Sequence, residues 1–255
     1  VPSFAVSISV LGLVQAALVA LPAPRSFPWL GRLRSRWWAL IPALSIAVVI
    51  ALIELDSGSA TALSYLALVA VPPLAALALG LLLRGSRFVW ALAAIPLFAL
   101  AWASPGSLAG EAAATALSGL ACIALGWLLV AVVPGLWLRL GIYAMAAIDT
   151  WFVASDLLQG PNAVLSAAAP GAGLPRLQAV HFGSALMGFG DLFIAAVVGC
   201  LLARDRPRQL EAAALVAVLA LAFDLLFFAV DQLPATVPVA VALALVQRSS
   251  SSRRT

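Results

Sequence analysis

The chain has no lysine, a single histidine and two cysteines, and only 9% of its 255 residues are charged. That is about a third of the share usual in a soluble domain. A water-facing surface cannot be built from so few charges, which excludes an ordinary soluble enzyme. The 64% hydrophobic content excludes a solvated, disordered chain as well. Cys122 and Cys200 both fall inside apolar runs and read as small packing residues rather than a disulfide or a metal pair. His181 stands alone near the outer end of its run and reads as an interfacial polar residue, so neither a metal nor a cofactor is expected. A pI near 10.0 would suggest a nucleic-acid partner in a soluble protein. Here the arginines sit in short links between apolar runs, where orienting the chain in a bilayer explains them, and no nucleic acid is expected.

What the chain does contain is a series of apolar stretches of the length that crosses about 30 Å of hydrocarbon. They lie near 4–21, 37–55, 61–83, 88–104, 112–133, 140–158, 180–203, 211–231 and 234–247. The runs are continuous and rich in Ala and Leu rather than alternating, so they read as helices and not strands. The expected class is therefore an all-α integral membrane protein of nine transmembrane helices.

The arginines supply an independent check, because an odd number of spans puts the two termini on opposite sides. Thirteen of the fourteen then fall on one side: Arg25, Arg32, Arg34, Arg36, Arg84, Arg87, Arg139, Arg204, Arg206, Arg208, Arg248, Arg253 and Arg254. Only Arg176 falls on the other. This pattern predicts the N-terminus outside and the C-terminus cytoplasmic, with a retained first helix rather than a cleaved signal peptide. Trp127 and Trp151 lie deeper than the other tryptophans and are expected to pack inside. The outer link 159–179 is a loop or a short surface helix, and the polar tail 248–255 is expected to be disordered and cytoplasmic.

Ionisable residues at mid-membrane are expensive and by default mark function, although an intramembrane Asp also serves to hydrogen-bond a neighbouring helix. At about 1.5 Å per helical residue, Asp149 lies roughly 15 Å beyond Arg139, and Asp191 roughly 20 Å from Arg204. Both are deep, on consecutive antiparallel spans whose carboxyls can face one another. Asp224 is equally deep and competes with them. Asp156 and Asp231 lie nearer the outer surface, while Glu54, Asp56, Glu111, Asp205 and Glu211 belong to span ends. Context separates the deep three: Asp191 closes the run Gly188, Phe189, Gly190, Asp191, where small residues let another backbone come close. Asp149 is followed by the bulky Trp151 and Phe152, and Asp224 has no small neighbours.

A deep Asp followed by aromatics on span six, GxGD on span seven and a Pro-Ala pair opening span nine together resemble the presenilin and signal peptide peptidase family of intramembrane aspartyl proteases. Asp149 takes the first aspartate's position, with Ile148 where that family has Tyr. Gly188, Phe189, Gly190 and Asp191 match GxGD in full. Pro234 and Ala235 match the Pro-Ala-Leu motif, with Thr236 in place of the Leu. The resemblance covers mainly residues 140–247. It implies a five-helix scaffold over 1–139, catalytic helices six to nine over 140–247, and catalysis by Asp149 and Asp191 with water. Gly188, Phe189, Gly190, Pro234, Ala235 and Thr236 would contact substrate, and Thr150 and Ser184 would help water reach the site. The orientation is similar to the signal peptide peptidase branch, whose substrates are remnant signal peptides and type II membrane proteins, and the size resembles compact microbial members in a prokaryotic cytoplasmic membrane.

Three other readings compete. Prepilin peptidases also carry GxGD, but followed by a Lys-containing stretch, and this chain has Leu192 and Phe193 there. A proton- or cation-coupled transporter would use Asp149, Asp156, Asp191, Asp224 and Asp231 as a relay, which gives Asp224 a role. An inactive scaffold of the protease fold is the third.

Overall fold

The computed structural model describes residues 2–252 apart from 43, 46–47, 49–50, 52–57, 156–163, 165–167, 169, 172, 229 and 231. These residues are mostly helical. Four helical stretches among them, Gly58–Leu82, Leu108–Val132, Gly135–Ala154 and Arg206–Phe228, are long and apolar enough to cross a membrane.

In chain order, helix α1 spans Phe4–Ala20 and α2 spans Gly58–Leu77, widening into a π turn at Ala78–Leu82. A 3-10 turn at Phe88–Ala93 leads into α3, Ala94–Ala103, followed by α4, Leu108–Val132, and α5, Gly135–Ala154. Two short strands come next, β1 (Ala179–Phe182) and β2 (Ala185–Gly188), then α6, Phe189–Leu202. Helix α7, Arg206–Asp224, ends in a 3-10 turn, Leu225–Phe228, and α8 spans Val237–Ser252. The apolar runs expected to be helical have helical counterparts among the described residues; in the second, at 37–55, Arg36–Leu40 forms a 3-10 turn and residues 41, 42, 44, 45, 48 and 51 are helical. Much of that run, with Glu54 and Asp56, lies outside the described residues, as do Asp156, Asp231 and most of the link 159–179.

The structure corrects three expectations. The run at 180–203 is not one helix: its first part forms an antiparallel hairpin pairing Ala179 with Gly188 and Phe182 with Ala185. The turn is the pair Gly183 and Ser184, and Gly183 adopts φ +60°, the left-handed geometry that a two-residue hairpin turn requires. Burial alternates along β2, with Ala185 and Met187 inside, so a strand period is hidden in an apolar run too short to display it. Secondly, the chain stays helical from 248 to Ser252, with the Ser249 hydroxyl donating to the Val246 carbonyl at 3.0 Å. Thirdly, of the two deep tryptophans only Trp127 is buried, edge-on to Phe27 with ring centres 6.4 Å apart. Trp151 is 68% exposed on α5.

Helices α1, α4 and α6 form the centre, with Leu11, Val19, Leu117, Ile123, Ala195 and Val197 fully buried. Small residues permit this packing, as between membrane helices generally. A Cβ on Gly199 of α6 would sit 2.5 Å from the Leu18 carbonyl oxygen and 2.7 Å from that of Val19. Both buried cysteines are free and act between α4 and α6: the Cys122 thiol donates to the Phe189 carbonyl at 3.8 Å, and that of Cys200 to the Ile123 carbonyl at 3.7 Å.

Polar contacts gather at the two ends of the bundle. At one end the Gln209 amide nitrogen donates to the carbonyls of Pro22 (3.0 Å) and Gly199 (3.1 Å). Its oxygen accepts from Arg84 (2.8 Å) and Arg206 (3.0 Å). Ala23 N–H donates to the Leu82 carbonyl at 2.8 Å, and Arg36 lies over the Trp137 ring at 5.9 Å. At the other end Glu111 accepts from the Gly183 N–H at 2.7 Å, and the Ser7 hydroxyl accepts from the Ser184 N–H at 3.3 Å.

The tight approach at Gly199 predicts that Gly199→Ala displaces α1 from α6 and lowers stability by about 1–3 kcal/mol, the usual effect of overpacking. Gly31→Ala, which meets nothing within 4 Å, serves as the control in the same detergent-unfolding measurement. Equal stability of the two variants would contradict this packing.

Candidate active site

Helix α6 has 14 residues and so is about 21 Å long, too short to cross roughly 30 Å of hydrocarbon. It begins part-way along the bundle, directly after the hairpin, and Asp191 is the third residue of its first turn. The Asp191 carboxylate accepts the Gly188 N–H at 3.2 Å, which satisfies a donor that the helix start leaves open. A negative charge is also favoured at this end of the helix dipole. A Cβ on Gly188 would stand 3.2 Å from the Asp191 Oδ2, whereas one on Gly190 would meet nothing within 4 Å. Both glycines are exposed and Phe189 between them is half-buried, so backbone beside the carboxyl is open to approach.

Asp149 projects, half-buried, from α5. Its Oδ2 accepts the Thr236 hydroxyl at 2.6 Å, and Thr236 is only 3% exposed. Thr236 belongs to the turn that starts α8, where Val237 N–H donates to the Pro234 carbonyl at 3.1 Å and Ala240 N–H to the Thr236 carbonyl at 3.0 Å. Pro234 is buried and Ala235 half-buried. Asp149 in turn lies within electrostatic reach of Asp191. The two deep aspartates and the Pro234–Ala235–Thr236 turn, from three separate parts of the chain, are therefore neighbours. Thr236, expected against substrate, donates its hydroxyl to an aspartate.

The remaining candidates make other contacts. Asp224 accepts from the Ser9 hydroxyl at 3.3 Å across α1 and α7. Thr150 donates to the Ala146 carbonyl of its own helix at 2.7 Å. Ser184, expected near the water path, sits in the hairpin turn against Ser7 and Pro2. His181 is on β1 opposite Leu186.

One residue at the site carried no sequence motif. Gln15, in the middle of α1 and 1% exposed, donates from its amide nitrogen to the Ala235 carbonyl at 3.1 Å and to the Asp191 carbonyl at 3.4 Å. Its only signal was a lone amide in a span whose other polar residues are Ser7 and Ser9.

Comparison with protein-family models, with curated proteins and with solved structures gives no match to this chain.

Replacing Thr236 by Val keeps the shape and deletes the donor to a partly buried carboxylate. A bond of this type is worth about 1.5–3 kcal/mol. Thr236→Val should therefore unfold at lower denaturant than the parent by a comparable amount, and Thr236→Ser should recover most of the loss. If Val and Ser variants unfold alike, the hydroxyl is not bonded to Asp149.

Proposed function

We propose that this protein is an intramembrane aspartyl endopeptidase, with Asp149 and Asp191 as its catalytic dyad and membrane-spanning polypeptides as its substrates. The observation that carries this reading is the convergence of Asp149, Asp191 and the Pro234–Ala235–Thr236 turn, through the 2.6 Å bond from Thr236 to Asp149 and the Gln15 amide that the Asp191 and Ala235 carbonyls share. Two neighbouring carboxyls in a medium of low dielectric resist double ionisation, so the pair shares one proton and titrates as a unit.

In the reaction, the ionised carboxyl takes a proton from water as the water oxygen bonds to the scissile carbonyl carbon. The protonated carboxyl gives its proton to the carbonyl oxygen, forming a neutral gem-diol. On collapse one gem-diol hydroxyl gives its proton to the ionised carboxyl as the carbonyl re-forms and the C–N bond breaks, and the departing nitrogen takes the proton that the other carboxyl gained from water, leaving an acid and an amine. A helical substrate hides its peptide bonds and must first unwind. The exposed backbone at Gly188 and Gly190, reached directly from β2, offers a place for the extended segment to pair.

The orientation belongs to the same proposal: nine spans, N-terminus outside, in the cytoplasmic membrane of a prokaryote. It is supported by the company the links keep. The links bearing Arg36, Arg84 and Arg206 gather at one end of the bundle, whereas Ser7, Glu111 and Gly183 gather at the other. That orientation favours substrates with a cytoplasmic N-terminus, such as remnant signal peptides and type II membrane proteins. An acidic relay would draw on Asp224, which hydrogen-bonds Ser9 on another helix pair.

Asp149→Asn and Asp191→Asn should each abolish cleavage of a transmembrane reporter without impairing membrane insertion, while Asp224→Asn should still cleave. Cleavage persisting in either dyad variant would overturn the assignment.

A further inference from the structure

The least expected side chain at the site is the Gln15 amide. An amide in the middle of a membrane helix is destabilising unless both its hydrogens are used. Here the NH2 group has two hydrogens and two carbonyl partners, Asp191 and Ala235. Those carbonyls have reason to need it. The Asp191 oxygen lies in the first turn of α6, and a carbonyl oxygen has a second lone pair free after its helical bond. The Ala235 carbonyl precedes α8, and Pro238, three residues on, has no N–H to offer it. Next to Ala235 is Thr236, whose hydroxyl holds Asp149. One side chain thus reaches the backbone of one aspartate and the backbone beside the residue that holds the other.

We propose that Gln15 is a positioning residue for the dyad: by donating to the Asp191 and Ala235 carbonyls together, it locks the start of α6 to the turn before α8 and thereby sets how the Asp149 and Asp191 carboxyls face each other. Its consequence for turnover rests on the protease reading; the lock itself does not. Helix α1 belongs to the part of the chain where no motif was found, and this gives it a direct part in the site. The structure also contains a comparison with more bonds to lose, since the Gln209 oxygen accepts from Arg84 and Arg206 as well. Gln209 is likewise fully buried and likewise donates to two carbonyls, at the far end of the bundle. A purely structural amide should behave as Gln209 does.

Gln15→Met and Gln209→Met preserve length and approximate volume while removing the donors, so the fold is expected to persist in both. Two measurements on the full chain in lipid decide the matter. The first is the distance distribution between spin labels at Leu186→Cys and Gln232→Cys, both exposed sites two residues before Gly188 and Pro234. It should broaden in Gln15→Met and stay as in the parent in Gln209→Met. The second is reporter cleavage, in which kcat per folded molecule should fall about tenfold or more in Gln15→Met with KM unchanged, since small misplacements of reacting groups weigh heavily on turnover. Gln209→Met should keep the parental kcat. An unchanged label distance in Gln15→Met overturns the lock whatever the activity. A broadened distance with parental kcat overturns the positioning role, and a broadened distance in Gln15→Met when the parent cleaves no reporter supports the lock while removing the protease reading.

Discussion

Two helices that begin inside an apolar bundle leave open backbone groups that lipid cannot satisfy, and this constraint organises the rest of the molecule. Irregular backbone is tolerated at membrane depth only where protein or a water-lined cavity supplies partners. The start of α6 is answered by the Asp191 carboxylate on the Gly188 N–H, and the turn before α8 by the Gln15 amide on the Ala235 carbonyl. Thr236, in that same turn, passes its hydroxyl to Asp149. The groups that stabilise two interrupted helices are therefore the same groups that bring two carboxyls together. One network thus closes two helix starts and gathers two carboxyls, which is why the candidate site is built around helix starts and not within continuous spans.

The same rule governs the ends of the bundle. Helix C-termini expose carbonyls and carry partial negative charge, so cations are favoured there. Arg206 donates to the Ala20 carbonyl at the end of α1, and Arg84 to the Ala203 carbonyl just past α6 at 2.7 Å. Gln209 joins the two guanidinium groups through its oxygen. Arginines that read in sequence as orientation signals thus also close helix ends. Across the bundle, the hairpin before α6 is fastened by Glu111 and Ser118 of α4 and by Ser7 of α1, with the Ser118 hydroxyl donating to the Leu177 carbonyl at 3.2 Å. The segment carrying Asp191 is consequently held on both sides.

How much of this was readable in the sequence follows from the range of each signal. Helix-length apolar runs and isolated deep carboxyls are local features, so most helices and the Asp149 and Asp191 pair were visible. The hairpin at 179–188 was not, because four-residue strands within an apolar run look like helix and only Gly183 marks the turn. Gln15 was missed because its partners are 176 and 220 residues away and no periodicity connects them. Thr236 was visible as a departure from a motif, yet its role required knowing that Asp149 lies within hydrogen-bond reach. Asp224 looked like an equal of Asp149 and Asp191 by depth. Its partner Ser9, 215 residues distant, separates it in space.

The central claim is that the two carboxyls act together on a tetrahedral centre derived from a peptide bond. It is tested most directly by the affinity of the lipid-embedded protein for an apolar peptide carrying a hydroxyl-bearing isostere in place of the scissile bond, compared with the same peptide carrying an ordinary amide. Mimics of a transition state bind about 10²-fold or more tightly than substrates. The account predicts at least that preference in the parent chain and its disappearance when either aspartate is neutralised. Equal affinity for the two peptides, or a preference that survives in Asp149→Asn or Asp191→Asn, would contradict it.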